Sequence, residues 1–273
     1  MSQLPPRLLT DTSGAALPFE SDAGVLEFLR SAEIVSQSRY DEGGRPIAFD
    51  DADEFGRGTY LLRLRQGDLE LDAIFRSIED RLGVARFVDG STEVHFRDSG
   101  LFECAAYELS AMLGLFQVPP AVRRRIGPVE GSLQIVAPTW FSESDRVTGG
   151  LADPSSQRWN KQLATMNVFD ALIANPDRNR RNLLYDETWR LWITDHSRAF
   201  RVSTRLDEAP LQAIERSFWV SLGGLESGAI SDAVSAYLSD GELSALLERR
   251  DRLVAHFESL IEQRGEPMVM FGY

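Results

Sequence analysis

The sequence predicts an α+β chain in two parts, a small β-rich lobe followed by a larger helical one. Three observations predict it. Short runs that alternate apolar with polar residues dominate 32–78 and 121–136. Apolar residues at helical spacing dominate from 155 onward. The change falls near 137–142, which divides the chain into an arm over 1–22, an N-terminal lobe over 23–137 and a C-terminal lobe over 138–273. With 273 residues, 43% of them hydrophobic and 26% charged, the usage is that of a globular chain. A chain of this length hides roughly three quarters of its unfolded surface without covalent staples.

Taken in order, 1–22 carries Pro5, Pro6, Gly14 and Pro18 without periodicity and reads as a surface arm. A short helix follows over 24–30, then a strand over 32–39, where AEIVSQSR alternates. Residues 41–58, with Gly43, Gly44, Gly56 and Gly58, form a connection. Residues 59–65 and 69–78 make a hairpin around Gln66-Gly67-Asp68. Within 83–100 only 93–96 reads as a strand. Phe102, Ala105, Ala106, Leu109, Met112 and Leu113 fix a helix over 101–113 that Gly114 closes. Val118-Pro119-Pro120 turns rigidly into strands over 121–126 and 132–136. Asp153-Pro154 opens a helix over 155–174 with Leu163, Met166, Phe169, Leu172 and Ile173 inward. Short strands over 183–185 and 191–194 flank a turn at 186–188. From Pro210 the chain supports three helices, the last starting at Ser239 with Glu242 three residues on, a reciprocal capping pattern.

Composition narrows the function. One cysteine, Cys104, excludes an internal disulfide and any cysteine-based zinc cluster, and reads as a small buried filler. His95, His196 and His256 lack metal-ligand spacing. No stretch of 18 apolar residues exists to insert into a membrane, and the start lacks a charged region followed by an apolar one, so a cytoplasmic protein is expected. A net charge of −13 argues against nucleic acid as a partner. Lys161 is the only lysine, so a role that normally needs lysine falls to it or to an arginine.

The chemistry-bearing stretch is 169–200, FDALIANPDRNRRNLLYDETWRLWITDHSRAF. Asp177 is followed five positions on by Asn182 and eighteen positions on by Asp195. A helix delivers Asp177 into a loop broken by Pro176, and a strand pair carries the chain from Asn182 to Asp195, so the three can converge. Mg²⁺ takes oxygen ligands from one or two carboxylates plus phosphates and water. Asn182 and Asp195 supply such oxygens, and Asp177 can accept a proton from an attacking hydroxyl. Phosphoryl transfer asks for this kind of positioning and charge neutralisation. Taken singly, Asp177 also suits a turn after Asn175-Pro176, and Asn182 and Asp195 suit caps or loops. Arg123–Arg125 and the trio Arg178, Arg180 and Arg181 read as solvated faces, the trio alternatively as cations that steer an anionic substrate. His196 reads as a packing or hydrogen-bonding residue.

The run N-x-D-R-x-x-x-N over 175–182, followed by a short hairpin and I-x-D-H over 193–196, resembles the core of atypical protein-kinase-like folds: HipA-type bacterial kinases, phosphatidylinositol 3- and 4-kinases, and Golgi-type casein kinases. The resemblance implies a two-lobed protein-kinase-like fold that uses ATP and Mg²⁺, with Mn²⁺ as an alternative ion, and transfers phosphate to a hydroxyl, with a protein as the expected acceptor. It implies Asp177 as catalytic base and Asn182 and Asp195 as metal ligands. It also implies Glu103 as the helix glutamate that pairs with the phosphate-holding cation. That cation falls at Arg76 in A-I-F-R, where the pattern usually has lysine. SLQIVAP over 132–138 resembles the strand and hinge at the adenine, placing Gln134 and Val136 there. Gly43–Gly44 or Gly56–Gly58 is the expected phosphate loop, although neither is G-x-G-x-x-G. Arg76 and the missing glycine loop leave open a catalytically inactive nucleotide-binding module. The same pocket could also transfer AMP.

Overall fold

The computed structural model describes residues 17–19, 21–40, 46–47, 55–87, 90, 92–152 and 156–272. Helix α1 (Asp22–Ser31) presents Val25, Phe28 and Leu29 inward. It is followed by strands β1 (Glu33–Tyr40), β2 (Pro46–Ile47), β3 (Thr59–Gln66) and β4 (Leu69–Arg76). A two-stranded ribbon, β5 (Glu79–Arg86) with β6 (Thr92–Ser99), then leads into α2 (Phe102–Met112), β7 (Ala121–Ile126) and β8 (Val129–Ile135). Six of these strands form one antiparallel sheet in the order β2-β1-β3-β4-β8-β7.

The period of two along a strand decides what reaches the site. Tyr60, Leu62 and Leu64 of β3, Leu71, Ala73 and Phe75 of β4, and Leu133 and Ile135 of β8 all enter one core with α1. The alternate positions Arg76, Ser132 and Gln134 therefore point to the opposite face, and Arg76 and Gln134 there meet Glu103 of α2.

The second half begins with β9 (Phe141–Ser142), α3 (Glu143–Gly149) and α4 (Ser156–Ile173). The hairpin β10 (Leu183–Tyr185) and β11 (Leu191–Ile193) joins β9 in a three-stranded sheet. Then come β12 (Ile214–Glu215), α5 (Arg216–Gly224), α6 (Ser227–Val234), α7 (Asp240–Arg264), α8 (Glu266–Val269) and β13 (Met270–Phe271). Ser239 caps α7 reciprocally with Glu242, as its sequence predicts. Leu246, Leu253, Phe257 and Leu260 of α7 share a core with Phe169, Leu172 and Ile173 of α4 and with Phe102, Ala106 and Leu109 of α2. Helix α2 thus belongs by packing to the helical core while its Glu103 faces the sheet.

Several expectations are corrected. The β5–β6 ribbon is a full hairpin, where only 93–96 is expected as strand. Its Leu82, Val84 and Val94 lie more than half exposed, so no inward alternation marks it. Helix α3 is unexpected because it buries no residue, although Ser142 and Asp145 form a capping box. The strand expected over 69–78 ends at Arg76, and the one expected from 132 begins at Val129. The strand expected over 191–194 stops at Ile193. Gly43, Gly44 and the expected helix start at 155 lie outside the described residues. No helix among the described residues is long and apolar enough to cross a membrane.

Candidate active site

Arg76 ends β4 with its backbone held between two glycines. A Cβ at Gly100 or at Gly131 would collide with the Arg76 carbonyl oxygen, so both positions require glycine for this close approach. The guanidinium Nη1 lies 3.5 Å from Oε1 of Glu103, whose side chain is fully buried. Glu103 is held chiefly by the chain after β11. The His196 backbone N–H donates to Oε1 at 2.9 Å, and the His196 ring Nδ1 meets Oε2 at 2.9 Å. Gln134 Nε2 adds a longer bond to Oε2 at 3.4 Å and another to the Pro119 carbonyl at 3.3 Å. Burial alone would push the Glu103 carboxyl up. The charge of Arg76 and the His196 hydrogen bonds more than reverse it, leaving a pKa of about 2.

The loop that carries Asp177 is built locally. Helix α4 ends at Ile173, and Ala174 takes a left-handed conformation with φ of 47°. Asn175 Oδ1 then accepts the Asp177 backbone N–H at 3.2 Å, an Asx turn that leaves the Asp177 side chain exposed. Arg178 anchors the loop from below. Its Nε and Nη2 donate to the two carboxylate oxygens of Asp170 at 2.9 Å each, and Nη1 donates to the Thr194 carbonyl at 2.5 Å. The alternative reading of Arg178 as a substrate-steering cation is therefore corrected, since its fork is engaged with the fold. Arg180 and Arg181 remain exposed.

Asn182 closes a short 3-10 turn at the threshold of β10. Its Nδ2 donates to Oδ2 of Asp195 at 3.3 Å, and its carbonyl accepts the Thr194 N–H at 3.1 Å. Asp195 sits in the left-handed region at φ of 64°, an unfavourable conformation for a residue with a side chain, which turns the next residue, His196, back onto Glu103. The structure thus brings Arg76, Glu103, Gln134, Asn182 and Asp195 into one neighbourhood.

Asp98, at the end of β6, is a member the sequence does not reveal. Burial pushes its carboxyl up against a Ser197 hydrogen bond, and both Asp195 and Asp177 add to that rise. One of its oxygens is buried with no hydrogen-bond partner. Burial tends to lower the Arg76 guanidinium, yet Glu103, Asp195 and Asp98 raise it above its ordinary value. The donor set of Asn182 and Asp195 is all hard oxygen and fits Mg²⁺. No group of three or more His, Cys, Asp or Glu among the described residues could hold an ion. Such a pair suits an ion that also takes phosphate and water oxygens.

The other expected positions lie around this cluster. The Val136 N–H donates to the Asp72 carbonyl at 3.0 Å, extending the β4–β8 ladder. The Gly56–Gly58 segment is tied to the residue after Arg76, with Ser77 Oγ donating to the Gly56 carbonyl at 2.7 Å and accepting the Gly58 N–H at 3.2 Å. Lys161 bonds the Gly272 carbonyl instead of approaching Glu103. Arg124 caps the carbonyls of Leu29 and Ala32 at the end of α1, at 2.8 and 2.7 Å.

No protein-family model matches the chain, and no curated protein matches it. Among solved structures it is similar to that of hydra Fam20 with sugar, at 16% identity and a TM-score of 0.64, covering 97% of this chain and 96% of that one. The likeness is one of fold, and the chain has the two-lobed, atypical kinase-like α+β arrangement expected from its sequence.

Proposed function

We propose that this chain is an ATP- and Mg²⁺-dependent phosphotransferase acting on a hydroxyl, with a protein as the acceptor. One juxtaposition carries the reading: the Arg76–Glu103 contact at 3.5 Å and the Asn182–Asp195 contact at 3.3 Å meet through the consecutive residues Asp195 and His196. In this reading Asn182 and Asp195 hold Mg²⁺ or Mn²⁺, which supplies charge neutralisation to the phosphates. Arg76 binds phosphate oxygens and Glu103 orients it. Gln134 and Val136 lie at the adenine end. Asp177 is exposed and its carboxylate makes no hydrogen bond among the described residues, which suits a group that accepts the proton of an incoming hydroxyl. The lobes over 23–137 and 138–273, the arm over 1–22 and a cytoplasmic setting belong to the same proposal. A place beside the HipA-type kinases rests on the runs over 175–182 and 193–196 alone.

The test is phosphate transfer from labelled ATP to a panel of protein and, given the sugar in the hydra Fam20 structure, saccharide acceptors. Asp177→Ala is expected to lower transfer by about 10³-fold while leaving ATP affinity nearly unchanged; equal turnover by the variant overturns the assignment. Arg76 in the lysine position supports a second reading, an inactive nucleotide-binding module. Stabilisation by ATP only with Mg²⁺, and no turnover in wild type or Arg76→Lys, would select it. Mass spectrometry of modified acceptor separates added phosphate from added AMP.

A further inference from the structure

A guanidinium beside a buried carboxylate ordinarily docks fork to fork, with two short parallel hydrogen bonds. Arg178 does so with Asp170, at 2.9 Å twice. Arg76 and Glu103 do not. They approach at 3.5 Å as an ion pair, and Arg76 Nη1 is buried without a hydrogen-bond partner. The reason lies on the carboxylate. His196 donates to one oxygen from its backbone and meets the other with its ring, both at 2.9 Å, and Gln134 adds a third contact. An ionised carboxylate accepts and never donates, so the ring proton lies on Nδ1. Nε2 is buried without a hydrogen-bond partner, and the Phe169 ring packs edge-to-face against the imidazole.

We propose that His196 is a positioning residue that occupies Glu103 in place of Arg76 and so leaves the Arg76 guanidinium open to a polyphosphate. The choice of polyphosphate as the anion rests on the phosphotransferase reading above. A lysine in this position would need no such device, because its ammonium is a point charge with rotatable donors. A planar fork beside a buried glutamate needs a competitor for one carboxylate oxygen, or its donors are consumed by the fold. An unpaired buried N–H is costly, and an arriving phosphate oxygen would relieve that cost. Asp98 and Asp195 in the field of Arg76 oppose a bare anion, so a metal-bound polyphosphate suits the site better.

The experiment uses the full chain and inorganic tripolyphosphate as the probe, titrated calorimetrically with and without Mg²⁺. Wild type is expected to bind, more tightly with Mg²⁺. His196→Leu takes the short ring hydrogen bond from Oε2 and leaves there only the longer one from Gln134, so Arg76 can close onto Glu103 and binding should weaken about tenfold. His196→Asn, whose amide N–H can reach the place of Nδ1, should stay within about threefold of wild type. His196→Gln, whose amide reaches past it, should resemble the leucine variant and carries the comparison if that variant fails to fold. In an Arg76→Met background the leucine change should cost nothing further. Nitrogen-15 NMR of the wild-type imidazole should show a proton on Nδ1. The proposal is overturned by the Nε2–H tautomer, by wild type that binds no tripolyphosphate in either condition, or by asparagine and glutamine variants that bind alike. If these results are as expected and no ATP is turned over, the phosphotransferase reading fails and the role of His196 stands.

Discussion

Arg178 and Arg76 lie in the field of the same two carboxylates, Glu103 and Asp195, and both are nearly enclosed, yet they are engaged in opposite ways. Arg178 gives all three of its nitrogens to Asp170 and to the Thr194 carbonyl, tying the Asp177 loop to α4 and to the chain just before Asp195. Arg76 gives none to a hydrogen bond among the described residues. A buried cation whose donors are all engaged is part of the frame. One that keeps its donors open beside a cluster of carboxylates is the group that the proposed phosphate contact requires.

The sharpest way to break this comparison is to remove each cation and follow urea unfolding. Arg178→Met strands the Asp170 carboxylate and should cost about 3–5 kcal/mol. Arg76→Met removes no hydrogen bond but takes from buried Glu103 its nearest countercharge; with both His196 bonds kept, the expected loss is about 2–3 kcal/mol, below that of Arg178→Met. Equal losses would end the distinction. A smaller effect is read from acid. The Glu103 pKa is lowered from 4.5 to about 2 on folding, so its contribution is complete above pH 4.5 and fades as pH falls towards 2. That contribution is about 3 kcal/mol at most. Glu103→Gln should therefore flatten the dependence of the urea midpoint on pH between 5 and 2.5, and an unchanged slope would refute the burial of this charge. The smallest effect is a null one. Cys104 is fully buried and burial pushes its thiol up, so a thiol reagent should label the native chain at pH 8 only as fast as it unfolds.

The legible parts of the molecule are those whose signals are local. Alternation marks β3 and β4, the helical stripe and Ser239–Glu242 mark α7, and the spacing across the β10–β11 hairpin marks Asn182 and Asp195, which meet at 3.3 Å. The ribbon β5–β6 escaped because its apolar residues Leu82, Val84 and Val94 face outward. Asp98 escaped with it, being a lone acid at the end of a strand with no visible pattern. His196 could be read as a hydrogen-bonding residue, but its partner lies 93 positions away. Periodicity and spacing do not register a pairing over that distance. Glu103 shows the same limit from the other side: on the helix it is one of two acids, with Glu108, among mostly apolar residues, and only the resemblance singles it out.

The peptide of Arg76 rests between Gly100 and Gly131, where two hydrogen atoms stand in for two methyl groups. The entry to α2, the middle of β8 and the end of β4 are therefore locked at contact distance, like three leaves of a hinge pinned shut. The backbone of Arg76 has no room to slide, so any movement of this residue is left to its side chain.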